Sequence, residues 1–251
     1  SDGNASNGKQ LPVYRFLIPS APGGSITPTL VGTVNLPATA TTADLEGLGT
    51  NLTTGRVGAV NEARVTGPTT PIDPTVTVVN NVDQPFAPAT TSPTRTPSDL
   101  RRFGFESGAD FAGNTLYNIS GNPNPANAPV GSSLYRITTG TPGVISLVDT
   151  FGPATTAAQR QGTQPTNSQY ADGLAIDNLN PGSRALASDF STRDGDGAQL
   201  YKVDLLTGEL SAPIALRTPS GEALNVNGDS GLSFTNFGSQ RLIGWLETGA
   251  V

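Results

Sequence analysis

One pattern recurs four times along the 251 residues and constrains the fold more than any other feature of the chain. Each copy is a glycine followed by alternating apolar residues. The copies read Leu45-Glu46-Gly47-Leu48-Gly49, Glu106-Ser107-Gly108-Ala109-Asp110-Phe111, Ala171-Asp172-Gly173-Leu174-Ala175-Ile176 and Asp229-Ser230-Gly231-Leu232-Ser233-Phe234. The anchoring glycines stand 61, 65 and 58 residues apart. Behind each comes a turn and another apolar run: Arg56–Val60, Thr115–Ile119, Arg184–Ser188 and Arg241–Trp245. Period-two alternation bounded by Gly, Pro and Asn is the signature of strands joined as hairpins.

A second hairpin lies between these copies. Leu134–Ile137 leads through Thr139-Gly140 to Val144–Val148, and Leu200–Asp204 leads through Thr207-Gly208 to Leu210–Leu216. Val13–Phe16 leads through Gly23-Gly24 to Thr29–Val34. The remaining copy is degenerate, Ala63–Thr66 followed by Thr75–Val79, and its third strand is expected to be short or missing. Four strands roughly every 60 residues make one blade of a propeller. The expected fold is therefore all-β, a four-bladed β-propeller closed by a blade shared between N- and C-terminal strands. In that arrangement Arg241–Leu246 lies beside Val13–Leu17, so that no inner edge stays unpaired. Residues 1–10 are expected to form a flexible N-terminal tail and residues 11–251 a single propeller domain. The competing architecture is a β-sandwich of about 16 strands, which would not need the repeat.

Asp172-Gly173-Leu174-Ala175-Ile176-Asp177, then Arg184-Ala185-Leu186, then Leu200-Tyr201-Lys202-Val203-Asp204 with Thr207-Gly208, resembles NHL-type and related secreted bacterial β-propeller repeats. The resemblance covers most of the chain and implies the fold. It implies no activity, because such repeats serve unrelated functions.

Composition narrows the chemistry. Cys and His are both absent, which removes disulfides, thiol nucleophiles, thiolate or imidazole metal ligands and Ser-His-Asp triads. A net charge of −6 with 14% charged residues leaves no basic footprint, so nucleic acid is not expected as a partner. No run approaches the roughly 18 apolar residues of a membrane span. The chain has no Met, even at position 1, and is expected to be a processed form whose secretory signal has been removed, placing it outside the cell or at its surface.

Carboxylates supply the candidate site. Glu46 and Asp172 directly precede the repeat glycine, and Glu106 and Asp229 stand one residue earlier. Each opens an innermost strand, so the four are expected to ring the channel mouth. Like charges so close raise one another's pKa unless a cation sits among them, and carboxylates without His or Cys suit Ca²⁺. Otherwise these side chains accept hydrogen bonds from N–H groups of the neighbouring strand and pin blade to blade. Arg193-Asp194-Gly195-Asp196-Gly197 lacks the later ligands of a calcium loop and reads as an acidic turn. Asn4, Asn51 and Asn118 stand in Asn-x-Ser/Thr patterns.

The long connections Pro37–Ala43, Asp83–Arg102, Gly152–Tyr170 and Arg217–Gly228 are expected on one face, with short hairpin turns on the other. The expected function is a non-catalytic extracellular or cell-surface protein. Its long-loop face would serve binding, adhesion or matrix and filament assembly. The partner would be a second copy, another surface protein or a glycan, and the long polar loops are expected to be held by a neighbouring chain. The alternative is a carboxylate-based, calcium-dependent hydrolase acting at the channel mouth.

Overall fold

The computed structural model describes residues 10–20, 25–37, 40, 44–61, 77–92, 107–120, 132–138, 144–150, 171–180, 185–190, 197–226, 229–235 and 240–247. Among these the secondary structure is strand, with no helix. The chain opens with β1 (Gln10–Arg15) and β2 (Thr29–Asn35), a two-stranded antiparallel sheet. A four-stranded sheet follows, in the order β3 (Leu45–Asn51), β4 (Arg56–Asn61), β5 (Val78–Val79), β6 (Thr91–Ser92). The next holds β7 (Ser107–Ala112), β8 (Thr115–Ser120), β9 (Ser133–Thr138) and β10 (Val144–Thr150), each paired with its neighbour in sequence. The third repeats the order with β11 (Gly173–Ile176), β12 (Ala185–Asp189), β13 (Gln199–Val203) and β14 (Ile214–Ala215). Strands β15 (Asp229–Phe234) and β16 (Leu242–Glu247) end the described chain as a second two-stranded sheet. Among the described residues the strands form five small antiparallel sheets, where a sandwich requires two large ones.

Turn chemistry explains where the first hairpin of each unit reverses. Gly113, at φ +63, opens the turn between β7 and β8, a conformation that glycine adopts without a Cβ clash. Asn51 Oδ1 accepts the Thr53 and Thr54 N–H groups at 3.0 and 3.2 Å, and Asp177 Oδ1 accepts those of Leu179 and Asn180 at 3.1 and 3.2 Å. Both are side-chain-closed turns that stop the strand.

Successive sheets pack face to face, and the apolar core divides accordingly. Leu11 and Val34 of the first sheet meet Leu45, Ala59 and Val79 of the second. Val60 and Val78 of the second meet Phe111, Leu116 and Ile137 of the third. Ile119 and Leu134 of the third meet Leu174, Ile176 and Tyr201 of the fourth. Burial of each large side chain here is worth about 1.5–3 kcal/mol.

The degenerate unit differs from its expected layout. Val78–Val79, expected to belong to its fourth strand, is the third and pairs with β4, while Thr91–Ser92 supplies the fourth. Two-residue strands are too short to show alternation, which is why the pattern misplaces them. Ala63–Thr66 and the tail up to Lys9 lie outside the described residues, and Gln10 is already in strand, opposite Asn35.

Parts of the long connections are hydrogen-bonded to their own sheet. Asn81 Nδ2 donates to Pro88 O at 2.9 Å, its Oδ1 accepts Thr90 N–H at 2.8 Å, and Val82 N–H reaches Val57 O at 2.9 Å. The Arg217–Ala223 bridge is tied back by Ala198 N–H to Leu224 O at 2.7 Å. Gly152–Tyr170 lies outside the described residues.

The ladders of the described residues leave β16 and β1 in separate sheets. The terminal hairpins meet through side chains instead. The Phe16 and Trp245 rings stand 5.2 Å apart between centroids, and Arg241 Nη1 donates to Pro19 O at 3.2 Å.

Candidate functional site: the cavities between the inner strands

The first strand of each repeat faces its counterparts. β3 packs on β7, β7 on β11, β11 on β15, and β15 comes back to β3. The repeat glycine makes this approach possible. A Cβ on Gly108 would stand 2.5 Å from Asp172 O and 2.7 Å from Gly173 C, and one on Gly47 would stand 2.7 Å from Gly108 C. No side chain fits between backbones at that spacing. At Gly47 and Gly108 the inner strand passes against the backbone of the next, whereas Gly173 faces Ser188 of its own sheet and Gly231 meets nothing closer than Trp245 Cβ at 3.8 Å.

An innermost strand has a sheet partner on one side only, and its other backbone groups need acceptors. Two acids supply them. Glu46 Oε2 accepts Ser107 N–H at 2.6 Å, joining β3 to β7. Asp110 does the same from the middle strand. Its Oδ1 accepts Phe111 N–H and its Oδ2 accepts Ile176 N–H of β11, both at 2.8 Å, with Thr50 N–H of β3 as a further donor. Gly49 leaves the space for it, since a Cβ there would lie 2.6 Å from Asp110 Oδ1. Burial pushes the Asp110 pKa up to about 7, against the opposite pull of those three N–H groups.

A belt of turns closes the end beyond Asp110. Leu52 N–H donates to Gly113 O at 3.2 Å, and Gly113 N–H to Asn178 Oδ1 at 3.1 Å. Asn178 Nδ2 returns to Phe111 O at 2.6 Å, and Gln240 Nε2 donates to Asp177 Oδ1 at 2.5 Å. Burial raises the Asp177 pKa, but the Gln240 and Asn180 side chains and two backbone N–H groups outweigh it, and the carboxyl sits below its ordinary range. The short turns between the first two strands of successive repeats thus share one end of the molecule, as the repeat phase requires.

Two cavities lie between the inner strands. One, of about 180 Å³, is lined by Thr50, Asp110, Asn178 and Ser233 and is polar. The other, of about 240 Å³, lies where the inner strands begin, against Ser107, Leu174, Leu232 and Ile243, with Phe16 and Trp245 beside it. Leu48 and Ser233 belong to the walls of both. The second cavity is apolar apart from Ser107 and Ser233, and neither Glu46 nor Asp172 forms its wall.

Of the four candidate acids, Glu46 is hydrogen-bonded as above. Asp172 is buried just ahead of β11, where its N–H donates to Ser188 O at 3.0 Å. Asp229 opens β15 opposite Glu247, but its side chain, like Glu106 as a whole, lies outside the described residues. Among the described residues no three acids come together as a group that could hold a metal ion. Of the acidic turn Arg193–Gly197 only Gly197 is described. Asn118 is buried, its Nδ2 donating to Gly108 O at 3.1 Å, and Asn51 is buried in its turn. Asp110 is the residue that the repeat pattern underrates. Two positions after the repeat glycine the copies read Gly49, Asp110, Ala175 and Ser233, and one acid in a column of small residues marks a buried carboxylate with a bonding task.

Compared with known proteins, the chain matches no protein-family model and no curated sequence.

Proposed function

We propose that this chain is a non-catalytic binding module working outside the cell or at its surface, built as a four-bladed β-propeller. The closing blade consists of β15 and β16 followed by β1 and β2. Two contacts support this closure: Arg241 lies against Pro19 and Trp245 against Phe16, so the chains run antiparallel, as neighbouring blade strands must. The cycle of inner-strand contacts from β3 through β15 and back supports the same ring.

One observation carries the binding reading. Glu46 Oε2 and both carboxyl oxygens of Asp110 accept backbone N–H groups, while an apolar cavity that no acid lines among the described residues stands open between the inner strands. A carboxylate-based hydrolase needs a pair of carboxyl groups about 5–10 Å apart on one substrate cavity. Among the described residues, Asp110 is the single acid lining the polar cavity, and no acid lines the apolar one. The partner is a surface protein, a glycan or a further copy of the chain.

Native mass spectrometry of protein from its own source, paired with hydrolysis assays on polysaccharide and ester substrates, tests the reading. A retained partner without turnover is the expected result. Turnover that disappears in a folded Asp110→Asn variant would overturn it.

A further inference from the structure

The inner strand of the last hairpin is wrapped differently from those before it. In β7 every residue from Ser107 to Phe111 is buried, and in β11 every residue from Gly173 to Ile176. In β15, among the described side chains, Leu232 alone is buried, and Gly231 and Ser233 are exposed. Among the described residues, the three clusters of buried apolar side chains include none from β15 or β16. The backbones differ in the same sense. A Cβ on Gly108 would stand 2.4 Å from Leu174 N, an approach that Gly231 does not make. Both cavities lie in this looser sector, with Leu48 of β3 and Ser233 of β15 in the walls of each.

Resting on the ring closure proposed above, we infer that the β15–β16 hairpin is a flap that swings on β11 and opens both cavities towards β3. Its clasp is the pair of contacts that Trp245 and Arg241 make with the N-terminal hairpin. The hinge side is the better fastened. Gln240 Nε2 donates to Asp177 Oδ1 at 2.5 Å, and Asn180 Nδ2 to Gln240 Oε1 at 3.2 Å. Leu232 Cβ lies 3.4 Å from where a Cβ on Gly173 would stand, and the buried Phe190 lies 3.9 Å from one on Gly244. The clasp side rests on the Phe16 and Trp245 rings, 38% and 48% exposed, and on the exposed Arg241 Nη1 donating to Pro19 O. A segment with few enclosed apolar contacts opens at a lower free energy than the whole molecule. The ladder from Asp229–Glu247 to Phe234–Leu242 lets the hairpin move as one piece. The N-terminal hairpin does not follow it, because Leu11 and Val34 are packed into the core of the second sheet.

The chain has no cysteine, so a single introduced thiol reports opening without background. Leu174→Cys places the thiol in the wall of the larger cavity, at a position 1% exposed. Ala187→Cys places it in the core between the third and fourth sheets. Labelling of each by a bulky disulfide reagent is followed as urea is raised, below the unfolding transition. Leu174→Cys is expected to react at a rate nearly independent of urea, because a local opening exposes little surface. Ala187→Cys should react only through global unfolding, with a steep dependence. Adding Phe16→Ala, or Arg241→Ala outside the cavity wall, should speed Leu174→Cys about 2- to 10-fold and keep its dependence shallow. Circular dichroism checks that each variant is folded, and Leu232→Cys on the flap replaces Leu174→Cys if that variant does not fold. A steep urea dependence at Leu174→Cys, or no response to either clasp variant, overturns the flap and leaves the ring closure standing. Labelling that speeds up as the protein is diluted would show that the clasp joins two molecules, and would sink the ring closure with the flap.

Discussion

The two middle sheets and the two terminal hairpins share one repeat and differ in how they are buried. In the sheet of β7–β10, Phe111, Leu116, Ile119, Leu134, Tyr135 and Ile137 are all fully enclosed between neighbours on both faces. In the hairpins, Tyr14 is 55% exposed, Leu30 56% and Trp245 48%, although these residues are as apolar as their counterparts. The same pattern thus does different work. Where a sheet has a neighbour on each face, alternation becomes core. Where the chain ends meet, it leaves aromatic and aliphatic surface beside an apolar cavity. Stability belongs to the middle of the molecule, and the proposed recognition to its seam.

Glycine substitution should give the largest contrast between the two regions. Gly108→Ala drives a Cβ into the backbone of β11 and its approach, and no flexible side chain is there to give way. Little or no folded protein is expected, a loss beyond about 4 kcal/mol. At the seam the equivalent Gly231→Ala meets nothing closer than Trp245 Cβ at 3.8 Å and should fold with nearly unchanged stability. Yields and thermal unfolding of the two variants check this. If both fold alike, close approach is not the reason for the repeat glycine.

Leucine truncation gives a smaller contrast. Leu134→Ala empties a fully buried position and should cost about 3–5 kcal/mol, whereas Leu30→Ala on the exposed hairpin should cost less than about 1 kcal/mol. Urea midpoints at constant m-value read both. Equal losses would contradict the division into core and seam.

Asp110 provides a pH test of the middle region. Its folded pKa near 7 lies above the 3.8 of a free aspartate carboxyl, so the folded state holds the proton more tightly than the unfolded state. Stability from this group is greatest below about pH 4 and falls as pH rises towards 7, by no more than about 4 kcal/mol. Asp177, whose folded pKa is depressed, acts in the opposite sense and loses its contribution only as pH falls below the ordinary carboxylate range. Denaturation between pH 4.5 and 8 therefore isolates Asp110. The wild-type curve should decline over that interval, and Asp110→Asn should flatten it despite a lower overall stability. Equal slopes would mean that the carboxyl stays ionised throughout.

The fold was more legible in the sequence than the site, for physical reasons visible in particular residues. Spacing of Gly47, Gly108, Gly173 and Gly231 located the first strand of each sheet, and at Gly47 and Gly108 contact with the neighbouring backbone excludes every other residue. Val78–Val79 was legible as strand but not in its place in the sheet, and Thr91–Ser92 was not legible, because two residues are too few for any period to register. The acids were harder still. A bulge between Glu46 and Leu48, with Gly47 at φ +61, shifts the register, and counting from the glycine no longer tells which way Glu46 points. Its bond to Ser107 N–H is a link between strands that only the packed inner strands reveal. The need at Asp110 is also three-dimensional, since its N–H donors come from β3 and β11 as well as its own strand.

The smallest expected effect bears on the largest claim, that the terminal hairpins complete the ring. Phe16 and Trp245 are separated by almost the whole chain yet bring their rings to 5.2 Å. A double-mutant cycle with Phe16→Ala, Trp245→Ala and the pair, read by denaturant unfolding, measures that contact alone. A closed ring predicts a coupling of about 0.5–1.5 kcal/mol that does not change with protein concentration. Additive losses, or a coupling that emerges only as the concentration is raised, would show that the ends do not meet within one molecule.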